Sequence, residues 1–221
     1  MPERLALWNE ALGHIGEGTV LADLADPSTP GREIRRHYDA ERDSMLAGFP
    51  WRFAERVLPL TPHTPVPPGN LYAYKRPGGS LRIIKVSALP ERDAPSVPWR
   101  IGGATNEQGD DEVLILADEP TLYATFTRRV TQEAVWPDPF AKAMAWRLAW
   151  SISFPLTRDL SRREECWRQY IFWEAEARAE DQRQSYEFPP ESAWITARGG
   201  GRLLHPNALE DYPTLPSVPF A

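Results

Sequence analysis

Cysteine is almost missing from this sequence: Cys166 stands alone among 221 residues. A lone thiol excludes an intrachain disulfide and any cysteine-rich metal site, and it suits a reducing compartment. Long apolar runs are missing too, none reaching the roughly 18 residues a membrane-spanning helix needs. Met1-Pro2-Glu3-Arg4 is not followed by the apolar stretch of a secretory leader, so the expectation is a chain made and kept soluble, with no membrane partner. Positive charge is in deficit, 25 Lys and Arg against 31 Asp and Glu for a net charge of −6. Phosphate recognition calls for clustered cations, so a sequence-reading nucleic-acid binder is disfavoured. An acidic surface suits plain solubility, and equally a channel wall along which DNA slides without sticking.

Recognisable chemistry is scarce as well. His14, His37, His63 and His205 are scattered singly, and lone histidines are far more often surface or core residues than ligands. Gly199-Gly200-Gly201 lacks the Lys-Ser/Thr and the strand-to-helix setting of a phosphate loop and reads as a hinge. Asp110-Asp111-Glu112 and Glu176, Glu180 and Asp181 lack the ligand spacing of a calcium loop and read as solvated faces. The Arg35-Arg36 and Arg162-Arg163 pairs, balanced by neighbouring carboxylates, read as water-facing sides of helices. The expectation is therefore no enzyme, no catalytic residue, no metal and no cofactor.

What the sequence does have is bulk. Hydrophobic residues make up 42% of it, aromatic residues 11%, and nine are Trp, enough to fill a core and also cover an interface. Leu5, Trp8, Leu12 and Ile15 recur at helical spacing and predict a first amphipathic helix fading into Gly13, Gly16 and Gly18. Ser28-Thr29-Pro30 predicts a capped start for a second, with Ile34, Tyr38, Met45, Leu46 and Phe49 as its stripe and Gly48 and Pro50 as its end. From Trp51 to about Gln132, Pro- and Gly-rich loops alternate with β-branched runs. Strands are predicted near 52–60, 71–76, 81–88, 98–101, 113–118 and 121–130, with 102–111 as a solvent-facing hairpin tip.

Pro137-Asp138-Pro139 resets the chain to helix, with Asp138 as the predicted cap and Pro155 as the predicted stop; Phe140 to Ile152 is apolar almost all round, so this helix must be central. Ser161-Arg162-Arg163-Glu164 predicts a capping box opening a last helix to about Tyr186. The fold class is then α+β: a four-helix body from 1–50 and 137–188, an inserted small antiparallel sheet or open barrel over 51–136, and an extended arm over 189–221. Trp51, Phe53, Trp146, Trp150, Trp167 and Trp173 are candidates for core packing or subunit contact.

The arm is rich in Pro and Gly, which forbid regular structure, and carries spaced apolar anchors: Trp194, Ile195, Leu203, Leu204, Leu209, Tyr212, Leu215, Val218 and Phe220. Its 33 residues could extend about 110 Å, against a body roughly 40 Å across, so it can leave its own subunit for another polypeptide.

Several segments in order resemble the tail tubular protein A family of short-tailed phages: Asn9 to Gly16; Met45 to Ala54, with its Pro50-Trp51-x-Phe53-Ala54 core; Leu71 to Pro77 leading into Leu81 to Ile84; and Asp138-Pro139-Phe140 before an Ala-rich helix and a long charged one ending in Glu180-Asp181. The family often has Asp and Cys after the proline at Pro77, where this chain has Gly78-Gly79-Ser80. The resemblance implies a structural head-to-tail adaptor: a dodecameric homo-oligomeric ring bound to portal protein on one side and to a tail nozzle on the other. DNA would pass through its lumen without sequence-specific binding. Such a protein is made in the host cytoplasm and ends in the tail or neck of the virion. A stopper or tail-completion protein, closing the channel with the 62–70 or 102–111 loop, is the alternative.

Overall fold

A computed structural model describes residues 3–184 other than 68, 70, 93 and 106–110. Four helices are present among them: α1 (Arg4–His14), α2 (Thr29–Gly48), α3 (Asp138–Thr157) and α4 (Leu160–Arg183). Between α2 and α3 lie β1 (Glu55–Pro59), β2 (Thr61–Pro62), β3 (Tyr72–Lys75), β4 (Ser80–Ser87), β5 (Trp99–Thr105), β6 (Asp111–Ala117) and β7 (Tyr123–Arg128). The fold is α+β, with a strand-rich insertion inside a helical body. The carboxyl-terminal arm, including Trp194, Ile195, Leu203, Leu204, Leu209, Tyr212, Leu215, Val218 and Phe220, lies outside the described residues, as do His205 and the 199–201 glycines.

The helix stripes form as their spacing requires. Trp8, Leu12 and Ile15 of the first stripe are buried, together with Leu7 and Ala11. The Ser28 hydroxyl accepts the Gly31 N–H at 3.2 Å, capping α2. Gly31 is required there, since a Cβ would sit 2.6 Å from the Asp26 carbonyl. α3 buries Phe140, Ala143, Met144, Ala145, Leu148, Ala149 and Ile152 and packs against α1, α2 and α4. A helix apolar on every side can only be the central one.

Three helix boundaries differ from expectation. Pro137, extended at φ −59° and ψ 144°, is the residue before α3, and Asp138 is already helical; its carboxylate acts as a first-turn charge on the helix dipole instead of a cap. Pro155 does not stop α3, because its fixed φ is compatible with helix and it forgoes only one backbone bond near the end. The chain turns at Arg158, in the left-handed region at φ 55°. Asp159, not Ser161, caps α4, accepting Ser161 N–H at 2.9 Å and Arg162 N–H at 3.2 Å. Its 24 residues end at Arg183.

The insertion is antiparallel, as expected, and its strands form two sheets ordered β1-β7-β4 and β2-β3-β6-β5. Strand alternation gives each sheet an inner face, and Tyr74, Ile115 and Ala117 from one share a core with Val86, Ala124 and Phe126 from the other. The opposite face of β7 buries Thr125 and Thr127, on the side where α2 packs against β4 and β7. The predicted 52–60 strand begins as a 3-10 turn at Arg52–Ala54. The two ends of the predicted 102–111 tip are strand, Gly102 pairing with Leu114 and Thr105 with Asp111, while 106–110 lie outside the described residues. Gly102 is there because a Cβ would meet Leu116 Cδ1 at 2.5 Å, a packing reason where a loop had been read.

The body and the insertion meet on one ring. Trp51 at the entry lies 4.9 Å from Phe140 edge-on at 81°, Phe53 lies 4.9 Å away at 69°, and Trp136 at the exit lies 5.2 Å away at 78°. Phe140→Ala should therefore cost about 3–5 kcal/mol. Urea unfolding followed by far-ultraviolet dichroism and by tryptophan fluorescence should show one shared, lowered midpoint, whereas separated midpoints would mean that body and insertion fold independently.

Candidate functional site

The six aromatic candidates divide by environment. Trp51 is 1% exposed, donates its indole N–H to the Met45 carbonyl at 3.0 Å, and is core; Phe53 is half-buried in the same cluster. The sequence suggests the pairs Trp146/Trp150 and Trp167/Trp173 along their helices, but neither pair forms: Trp146 and Trp150 meet rings of α1 and α4, and Trp167 and Trp173 rest on Tyr170 and Phe172 of their own helix. Trp146 stacks on His14, with centroids 3.5 Å apart. Trp173 packs partly against the core with the Lys142 ammonium 4.5 Å from its ring. Trp150 of α3 meets Trp167 of α4 at 4.9 Å and 49°, and the Arg163 guanidinium lies 4.9 Å over Trp150.

That last trio floors an open groove of about 610 Å³ lined by Trp150, Leu160, Arg163, Glu164, Trp167 and Arg168. Trp167 is 40% exposed, Leu160 60% and Ile171 46%. The three follow a helical stripe roughly 100° round α4 from its buried stripe of Cys166, Tyr170, Ala177 and Asp181. Phe154 and Phe172 add exposed apolar surface nearby in sequence. Indole faces and a guanidinium can take up proline or aromatic rings and carboxylates. Behind the groove, burial pushes the Cys166 thiol up to about 11, so it is protonated at neutral pH and no nucleophile.

Sequence reasoning named Trp150 and Trp167 but missed Leu160, Ile171 and the groove's arginines. The signal was present: an apolar stripe at 160, 167 and 171 on an otherwise charged helix. Of the arginine pairs, Arg163 is therefore part of an aromatic site, while Arg35 donates to the Leu24 and Asp26 carbonyls at 3.0 and 2.8 Å and tethers the loop before α2.

The acidic residues read as solvated need correcting in part. Asp181 is 4% exposed; its Oδ1 accepts the Arg52 N–H at 2.9 Å and its Oδ2 lies 3.8 Å from Arg52 Nε, joining α4 to the entry turn. Burial holds this carboxyl above its ordinary range, although Arg52 opposes the shift. Glu112 is half-buried, 3.5 Å from His63 Nδ1 and 3.6 Å from Lys75 Nζ. Asp111, Glu176 and Glu180 are at least partly exposed, and Asp110 lies outside the described residues. Among the described residues, no three His, Cys, Asp or Glu side chains converge as a metal site would require, and no helix is long and apolar enough to cross a membrane.

No protein-family model matches this chain, and no curated protein matches it significantly.

Two outcomes follow from these environments. Trp167→Ala should shift stability by no more than about 1 kcal/mol, against about 3–5 kcal/mol for Trp51→Ala; a urea midpoint that falls as far for the first as for the second would make Trp167 a core residue. Asp181 binds its proton more tightly folded than unfolded, so its contribution to stability falls as pH rises from 3.8 through the raised folded value and is level above it. Asp181→Asn keeps a carbonyl acceptor for Arg52 N–H without the charge. Its stability relative to the parent should therefore rise as pH increases above 3.8 and then level off; a difference that stays constant with pH would rule out the buried-charge cost.

Proposed function

We propose that this chain is a structural head-to-tail adaptor subunit of a phage particle, one member of a closed, dodecameric ring set between portal and tail nozzle. The observation that carries the reading is the exposed aromatic groove between α3 and α4, with Trp167 and Leu160 40% and 60% open to water. An apolar, arginine-flanked surface of this kind is what a covered interface has at its centre.

The resemblance supports the same reading. Its most telling stretch, Pro50-Trp51-x-Phe53-Ala54, coincides with the aromatic joint on Phe140, so the shared motif falls on the residues that connect body to insertion. The net charge of −6 fits a ring around sliding DNA, which the wall should repel instead of binding. In this reading the helical bodies meet side to side, the 189–221 arm fastens to another polypeptide of the particle, and assembly requires no chemistry.

The experiment is native mass measurement of the full-length chain with and without the portal protein of the same phage. With portal, about twelve copies should join. Removing 190–221 should abolish that binding while leaving the far-ultraviolet dichroism of the body in place. A chain that stays monomeric beside portal, or one that binds equally well without the arm, would overturn the proposal.

A further inference from the structure

The groove on α4 and the end of the sequence are complementary. In the last stretch of the chain Pro213, Pro216 and Pro219 recur every third residue, and so do Tyr212, Leu215 and Val218. Three residues per turn is the repeat of the polyproline II helix, in which the prolines would form one ridge and the Tyr, Leu and Val side chains the next. Segments of this kind bind aromatic-lined grooves because proline lowers the entropy lost on ordering.

The groove has matching features. Trp150 and Trp167 pack on each other, inclined at 49° with centroids 4.9 Å apart, and together give the groove a floor of two indoles. The apolar stripe from Leu160 to Ile171 continues beside it for about 17 Å at 1.5 Å per residue, and Pro213 to Pro219 would cover about 19 Å at 3.1 Å per residue. Glu210 and Asp211 precede the proline repeat, and the groove lining carries two arginines, Arg163 and Arg168, to one glutamate, Glu164; Arg168 is also paired with Glu165, so the excess positive charge opposite the segment is modest. The residues between 184 and 211 could bridge up to about 90 Å, more than twice the roughly 40 Å width of a body of this size.

We propose that the Trp150–Trp167 groove of one copy is the docking site for residues 210–220 of a second copy, bound as a polyproline II segment. The Pro213-Pro216-Pro219 ridge lies on the two indoles, Leu215 and Val218 lie along Leu160 and Ile171, and Glu210 and Asp211 face Arg163 and Arg168. The contact is head-to-tail, since groove and segment are different surfaces, and a head-to-tail contact closes into a ring when the rotation allows. This inference rests on the adaptor reading only in naming the polypeptide to which one stretch of the arm fastens.

Complementation between two full-length variants tests it without portal. Trp167→Ala removes one of the two floor indoles and leaves the segment intact; the combined variant Pro213→Ala, Pro216→Ala, Pro219→Ala spoils the segment and leaves the groove intact. By sedimentation at about 100 µM, the parent chain should self-associate, and each variant alone should associate at least about tenfold more weakly. An equimolar mixture should recover one-to-one pairs, because one variant still offers a segment and the other a groove. A monomeric parent, variants that associate like the parent, or a mixture that recovers nothing would each overturn the proposal. If the proposal fails while the Trp167→Ala chain still gathers on portal in about twelve copies, the adaptor reading survives; failure of the parent chain to gather there defeats that reading instead.

Discussion

Phe140 is the ring on which both halves of the molecule depend. It opens α3, the helix with the most buried residues, and it receives the chain at both ends of the insertion: Trp51 and Phe53 on the way in, Trp136 on the way out, all at steep interplanar angles. Edge-to-face pairs of this kind contribute about 0.5–1.5 kcal/mol each beyond the area they bury, and their geometry restricts orientation. The Trp51 indole N–H is also tied to the Met45 carbonyl, so the end of α2, the start of the first sheet and the start of α3 are positioned by one cluster. The insertion is anchored at both ends by apolar contact.

Polar ties set the order of the helices around that cluster. Glu133, 7% exposed, takes the Tyr38 hydroxyl at 2.5 Å and Arg4 Nε at 2.7 Å, joining α1, α2 and the exit turn through one carboxylate. Burial together with the Glu133 contact raises the Tyr38 hydroxyl far above its usual range. Arg147 of α3 repeats the pattern, 2.6 Å from Glu41 of α2 and donating to the Tyr170 hydroxyl of α4 at 2.8 Å. Buried ion pairs of this type add little net stability over apolar packing, but losing one partner is costly. Each tie holds side chains of separate elements at hydrogen-bonding distance.

The helices were legible in the sequence because a stripe of period 3.6 is a property of the chain itself: Leu12, Ile34, Tyr38 and Leu148 are buried as their spacing says. The ends were less so, because capping is a competition between neighbours. Asp159 reaches two N–H groups and leaves Ser161 inside the helix, and Pro137 holds the extended position that Asp138 was expected to take. Spacing also cannot say what a residue faces. It put Trp146 and Trp150 on one helix face, but not His14 beside the first or Trp167 beside the second. Gly102 read as a loop signal because its cause, the Leu116 side chain two residues beyond its pairing partner on β6, is a contact between strands.

α4 shows why function is harder to read than fold. Cys166, Tyr170 and Ala177 are buried in the core, while Leu160, Trp167 and Ile171 keep much of their surface exposed, Trp167 resting on Trp150 and Tyr170. Side chains that large are costly to leave in water, at roughly 25 cal/mol per Å². The Arg163 guanidinium over Trp150 shields only one of the two indoles. A second apolar stripe lies a quarter-turn or so from the first, and in the ring proposed above the area it exposes on one copy would become buried area shared with the next.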